Sequence, residues 1–370
     1  MPPRRATKVT RRPPTERAPV KKRATPAAKT RGPTTAAKRS KAATPPNRGR
    51  STPRRTTAVL GVDLGGTKVQ AVRVDGGEVV ADARALTPGG GPAAVVADIA
   101  ELLTELGPGD ALALGVGAPG VVEAGTGVIR RAPNLAGFDE PVPFAAMLAE
   151  ATGIARVVVD NDVNLGALAE HRSGAGRGSS NMLAAFVGTG VGGGLVLDGQ
   201  LRSGPAGMAG ELGHVVVMDG GRECSCGRRG HLEAYAGRGM MERYARRKAG
   251  KGTKTKLVKL AGKGPMRSSV WAKALEDGDD LATKLVARAV DALGAALASA
   301  VSLVDLDRIV VGGGLGDRLG APFVDAVERA TRERLLVPDA ALEIVPATLG
   351  DLAGARGAAL LAEERQEPSR

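Results

Sequence analysis

Residues 58–74 read AVLGVDLGGTKVQAVRV. An apolar run ends in a glycine-containing turn, DLGGTK at residues 63–68, and a second apolar run follows at 69–74. Strand, turn and strand predict a hairpin rather than a strand feeding a helix. The phrase returns in residues 182–197, MLAAFVGTGVGGGLVL, with residues 188–194 as the turn. Two copies of one device predict two related α/β domains facing each other. Around them, the periodicity predicts helices over 92–106, 163–171, 280–304 and 348–362. Buried strands are expected at 111–116, 154–159 and 309–311, the last running into three glycines. The expected division is an N-terminal α/β domain over 58–165 and a C-terminal one over 166–347. A closing helix within 348–370 is expected to pack back on the first.

The chain has 370 residues, too many for one core. It holds 53 Gly but only 4 Phe, 2 Tyr and 1 Trp, so that core must be built from small aliphatic residues. Charge is unevenly spread. The first 57 residues carry 18 of the 52 Lys/Arg and a single acid, Glu16, leaving 34 basic and 38 acidic residues for the rest. The basic balance therefore belongs to an N-terminal segment, and the body is mildly acidic. That segment also holds 10 of the 23 Pro and no Leu, Ile or aromatic residue, so disorder is expected. It reads either as a solubilising extension or as an arm binding polyanions (DNA, RNA or polyphosphate) non-specifically; its proline density argues against an organelle transit peptide. No apolar run reaches the roughly 18 residues of a membrane span; the longest, 292–304, reads as a buried helix. With no apolar signal segment, and two Cys one residue apart, neither secretion nor a disulfide framework is expected. A cytoplasmic protein with no membrane partner is the expectation.

Glycine turns let backbone N–H groups approach phosphate oxygens. Three end apolar strands here: DLGGTK, GTGVGGG at 188–194 and GGGLG at 312–316. The two G-x-G-x-x-G matches, at 115–120 and 188–193, are followed by extended sequence rather than a helix, and no P-loop is present, which excludes both dinucleotide and P-loop readings. In the first turn Asp63, Thr67 and Lys68 suit a Mg²⁺-nucleotide: the carboxylate for the metal's water shell, the hydroxyl and ammonium for phosphate oxygens. A plain turn with a solvated lysine reads equally well. At residues 157–164, VVVDNDVN, a strand runs into Asp160, Asn161 and Asp162 at the head of a helix. One of these caps the helix; three exceed that need, which makes Asp162 the candidate general base.

The window 211–233, ELGHVVVMDGGRECSCGRRGHLE, contains four of the chain's five Cys and His residues. His214, Cys224, Cys226 and His231 provide two imidazoles and two thiolates, the donor set of a closed structural Zn²⁺ site. The alternative is two free thiols and two incidental histidines. Glu211 and Glu233 flank the set as acceptors for a polyol.

The motifs at 63–68, 160–162 and 211–214, with the run Cys-x-Cys-Gly-x-x-Gly-x-x-Glu at 224–233, resemble those of the ROK family of sugar kinases, from Val59 to about Ala362. The resemblance implies a two-domain actin/hexokinase-like (ribonuclease H-like) fold binding a hexose and ATP with Mg²⁺ in the interdomain cleft, commonly as a homodimer. It implies Asp162 as the base on the sugar 6-hydroxyl, with Asn134, Asn161, Glu211, His214 and Glu233 contacting sugar hydroxyls. Asp63, Gly65, Gly66, Thr67, Lys68, Gly188, Thr189 and Gly190 would hold the ATP phosphates; Gly312, Gly313 and Gly314 would lie against adenosine. The family usually has a third Cys where this chain has His231, which removes one negative charge from the metal set. The resemblance implies a glucokinase, with N-acetylmannosamine, N-acetylglucosamine or fructose kinase as alternatives. A ROK-type repressor would need a winged helix-turn-helix, for which residues 1–57 lack apolar periodicity.

Overall fold

In the computed structural model, the described residues are 58–365 except 110 and 124. The basic segment 1–57, with the disorder and polyanion role expected of it, lies outside them, as do residues 366–370. Strands β1 (Ala58–Leu64) and β2 (Lys68–Asp75) form the predicted hairpin, Asp63 facing Gln70 across the pair. The turn shrinks to residues 65–67, because Leu64 is buried and pulls Asp63 onto the strand. β1 is buried along most of its length, as a central strand covered on both faces must be. β3 (Glu78–Leu86) alternates between exposed and half-buried residues and forms the edge.

After α1 (Pro92–Glu105) comes β4 (Ala111–Ala118), then a small hairpin of β5 (Val121–Glu123) and β6 (Val128–Arg131). α2 (Phe144–Thr152), β7 (Val157–Asn161) and α3 (Asp162–Ser173) complete this half. The sheet order is β3-β2-β1-β4-β7, with β4 and β7 parallel to β1. The second sheet repeats it with β8 (Met182–Val187), β9 (Val191–Leu197), β10 (Gln200–Arg202), β11 (Arg308–Gly312) and β12 (Glu343–Pro346), in the order β10-β9-β8-β11-β12. Its directions match: β8–β9–β10 antiparallel, β11 and β12 parallel to β8. Between β10 and β11 lie α4 (Glu233–Ala236), α5 (Arg238–Gly250), α6 (Lys256–Ala261), α7 (Ser268–Glu276) and α8 (Asp280–Val304). α9 (Gly313–Leu319) and α10 (Ala321–Arg332) precede β12, and α11 (Ala353–Glu364) follows it.

Three expectations are corrected. β7 begins at Val157, not 154, because Gly153 in the left-handed region ends α2 and the chain needs several residues to turn. Gly192, Gly193 and Gly194 belong to β9 rather than the turn. A Cβ on Gly194 would lie 2.3 Å from that of Ala167, and one on Gly192 2.6 Å from a Val163 methyl, so these positions are bare because α3 presses on the strand. Residues 312–316 are not a glycine turn: the strand does run into them, but Gly312 is at once its last residue and the N-cap of the short helix α9.

The other sheet meets α11 in the same manner. Ala355 and Ala359 pack on Val59, Val72 and Ala113, and a Cβ on Gly115 would come within 1.8 Å of the Ala358 carbonyl oxygen. α3 and α11 also pack on each other, with Gly357 against the Leu165 carbonyl. These close approaches of helix to sheet account for the glycines at 61, 115, 192 and 194. Among the described residues α8 alone is long and apolar enough to cross a bilayer, yet its face of Leu285, Ala289, Leu293, Ala296 and Leu297 is buried in the second core.

Candidate active site

At the end of β7 three consecutive polar residues divide the work. Asp160, 2% exposed, accepts from the Asn161 N–H (2.7 Å), Asn164 Nδ2 (3.1 Å) and Ser203 Oγ (3.4 Å). Asn161 is the N-cap of α3: its Oδ1 accepts from the N–H groups of Val163 (3.0 Å) and Asn164 (3.2 Å), and its Nδ2 donates to the Gly120 carbonyl. Asp162, the first residue of α3, faces the cleft. Burial pushes its carboxyl up to about 6, partly offset by the Val163 N–H, with the Glu211 carboxylate adding to the rise.

Asp162 stands where two cavities meet. The larger, about 730 Å³, is lined by Asn134, Asn161, Asp162, Gly188, Thr189, Gly190, Glu211, His214, Glu233 and Gly313, thus uniting all the expected sugar contacts. Arg131 and Arg228 line it too. The smaller, about 220 Å³, contains Asp63, Lys68, Asp162, Gly313 and Gly314. Gly65, Gly66, Thr67 and Gly312 line neither; the 65–67 turn is held instead by Thr87, whose Oγ1 donates to the Gly65 carbonyl (2.6 Å). The turn at 188–190 sits on the larger cavity, where Arg238 donates to Thr189 Oγ1 (2.8 Å).

The smaller cavity is acidic. Burial pushes Asp63 up to about 7; the nearby Asp162 and Asp351 carboxylates add to the rise and Lys68 opposes it. Lys68 Nζ pairs with Asp351 at 3.1 Å, an exposed contact. Burial also raises Asp317, helped by Asp351 and Glu170. These last three escaped the sequence reading, although Asp162, Gly166 and Glu170 share one face of α3 at i, i+4, i+8, a legible signal. Glu170 is fully buried and accepts from the N–H groups of Ala175 (2.8 Å), Thr348 (2.9 Å) and Leu349 (2.8 Å).

On the opposite wall, ligand atoms of His214, Cys224, Cys226 and His231 lie within 4.8 Å of one another. His214 Nδ1 is 3.3 Å from His231 Nδ1 and 3.9 Å from Cys224 Sγ, and Cys226 Sγ is 3.3 Å from His231 Nδ1. Tetrahedral Zn²⁺ with bonds of about 2.0–2.3 Å has ligand–ligand edges of about 3.3–3.8 Å, so this donor set fits the ion. Burial, with His214 and Arg228 nearby, holds His231 below the usual imidazole range, in the neutral form that ligates metals. The other ring nitrogen of His214 is 3.8 Å from Glu211 Oε2, on the cleft side. Glu233 accepts from the Val191 N–H (3.1 Å) through Oε2 and from Ser225 Oγ through Oε1.

The model of the ROK family matches residues 59–365. A glucokinase of Thermotoga maritima is 36% identical over 317 residues, covering 83% of this chain and 98% of that one. An N-acetylgalactosamine kinase of Shewanella is 33% identical over 313 residues, covering 81% and 95% respectively. The crystal structure of a ROK family glucokinase from Streptomyces griseus in complex with glucose and AMPPNP superposes with a TM-score of 0.72 at 32% identity, covering 83% of this chain and 99% of that chain. The paired sheets are the actin/hexokinase-like fold. With family model, relatives and architecture in agreement over the body, the chain belongs to the ROK family.

Proposed function

We propose that the protein is an ATP-dependent hexose kinase that phosphorylates the 6-hydroxyl of glucose in the cytoplasm. The observation that carries this reading is the position of Asp162, the one carboxylate lining both cavities. The sugar would occupy the larger cavity, with hydroxyls on Asn134, Glu211, His214 and Glu233, while Asn161 fixes the head of α3. The phosphates of ATP would lie towards Lys68, Gly313 and Gly314 in the smaller one, with the bare backbone of residues 188–190 along their path. Asp162 takes the 6-hydroxyl proton as the oxygen–phosphorus bond forms and the bond to ADP breaks. With its carboxyl pushed up to about 6, it is mostly ionised at neutral pH yet basic enough to hold that proton.

Mg²⁺ would be held through its water shell by Asp63 and would neutralise charge on the phosphates; a carboxylate crowded by Asp162 and Asp351 suits a cation. Zn²⁺ would be held by His214, Cys224, Cys226 and His231 and would brace the loop that offers His214 and Glu233 to the sugar. The halves at 58–165 and 166–347 would close on the bound substrates and exclude water.

The T. maritima and S. griseus glucokinases support glucose as acceptor, and the Shewanella relative supports an amino sugar as the second reading. A coupled ADP-release assay over glucose, N-acetylglucosamine, N-acetylmannosamine, N-acetylgalactosamine and fructose tests both. The highest kcat/KM is expected for glucose; turnover of none of them overturns the kinase reading.

A further inference from the structure

A further cavity, about 550 Å³, lies outside the cleft between α5, α8 and the stretch from Met218 to Arg229. Its walls carry Arg222, Arg229, Arg243, Arg247 and Arg288 against one carboxylate, Glu223. Of the five, Arg288 is paired with Asp291 (3.0 Å), and Arg229 Nε donates to the Gly220 carbonyl. The Arg222 guanidinium lies 3.9 Å from the Tyr244 ring centre and 5.0 Å from that of Tyr235; Arg247 lies 5.0 Å and Lys248 Nζ 5.5 Å from Tyr244, so three cations share one ring. Arg222 Nη1 is buried with no hydrogen-bond partner. Arg243 and Arg247 stand one turn apart on the exposed side of α5, where like charges repel. In a body whose net charge is negative, such convergence is costly unless an anion offsets it.

We propose that this pocket binds a small anion carrying two or more phosphoryl groups. Guanidinium groups offer paired N–H donors that match phosphate oxygens, and here they converge from separate segments, Arg222 from the 218–229 stretch, Arg243 and Arg247 from α5 and Arg288 from α8. Tyr235 and Tyr244 supply flat apolar surface between them. The Arg222 backbone N–H donates to Tyr235 Oη (2.8 Å), which fixes one wall before any ligand arrives. The polar contacts are prepared, and the charge balance is left to the ligand.

Tyr235 and Tyr244 are the chain's two tyrosines and line this pocket and neither cavity of the cleft, so tyrosine difference absorbance reports on it. The full chain is titrated at fixed ionic strength with tripolyphosphate, a nucleoside triphosphate and a hexose bisphosphate in separate arms. A saturable change is expected with at least one, and the arm that saturates identifies the source of the phosphoryl groups. In Arg243→Ala/Arg247→Ala the affinity falls about tenfold or more, while kcat without the anion is unchanged. Arg243→Lys/Arg247→Lys recovers part of it. No saturable change in any arm, an unaltered affinity in the alanine variant, or an equal response to sulfate at matched ionic strength overturns the proposal.

Discussion

The two sheets share strand order and directions, yet their corresponding turns are chemically unlike. The first turn lines neither cavity, but the strand ends beside it place Asp63 and Lys68 in the smaller, acidic one; the second is Gly188-Thr189-Gly190, uncharged, and itself lines the larger one. Topology thus supplies two equivalent hairpin ends, and the residues at each decide what it brings to the cleft: charged side chains from the first, the turn itself from the second. Our reading assigns charge handling to the first half and an unobstructed backbone to the second. The carboxylate that reaches both cavities, Asp162, starts the helix leading from one sheet to the other.

The strongest test of that division removes its centre. Asp162→Asn keeps size and leaves the Asn161 cap in place, so it is expected to lower kcat about 10²–10⁴-fold with little change in sugar affinity. A rate within tenfold of the parent breaks the assignment. In the unaltered enzyme, kcat/KM should fall as pH drops through about 6, when Asp162 gains its proton.

Next comes the shared architecture. Gly357→Val drives a side chain into the Leu165 carbonyl where α3 and α11 touch. A loss of about 3 kcal/mol or more is expected in denaturant unfolding, because backbone must move. A fully stable variant would mean that the two helices are not locked together.

The second half's wall should respond to metal. Chelation, or Cys224→Ser, is expected to release one zinc per chain, lower the melting temperature and raise KM for the sugar more than it lowers kcat. Metal analysis of the purified protein and steady-state kinetics check the two parts separately.

The smallest effect sharpens the first half. Asp63 has a folded value of about 7 against an ordinary 3.8, so between these values the folded state holds the proton more tightly than the unfolded chain. This contribution to stability is therefore greatest at low pH and is lost as pH rises towards 7. Asp63→Asn should raise the melting temperature by a few degrees at pH 8 in metal-free buffer and change it little at pH 4. A lower melting temperature at pH 8 would show that Asp63 is not held under strain.

Much of this could be read from the chain. The hairpin of β1 and β2, helix α8 from Asp280 to Val304, and the clustering of His214, Cys224, Cys226 and His231 all announce themselves through local pattern. What escaped depends on distant packing. Gly192–Gly194 read as a turn because nothing local reveals that α3 lies on Gly192 and Gly194 or that Gly210 and Leu212 crowd Gly193 from the other face. Asp351 and Asp317 reach the acidic cavity from segments far along the chain from Asp63. Glu170 shares a helix face with Asp162, a pattern the sequence carries, but the Thr348 and Leu349 N–H groups it accepts from arrive from far along the chain.

The seating of α11 on β1 and β4 bears on how the protein is made. During synthesis the first sheet leaves the ribosome early, but its covering helix emerges only after the whole second half. Until then the groove over Gly61 and Gly115 stays uncovered, so the first sheet can complete its packing only once α11 has been made.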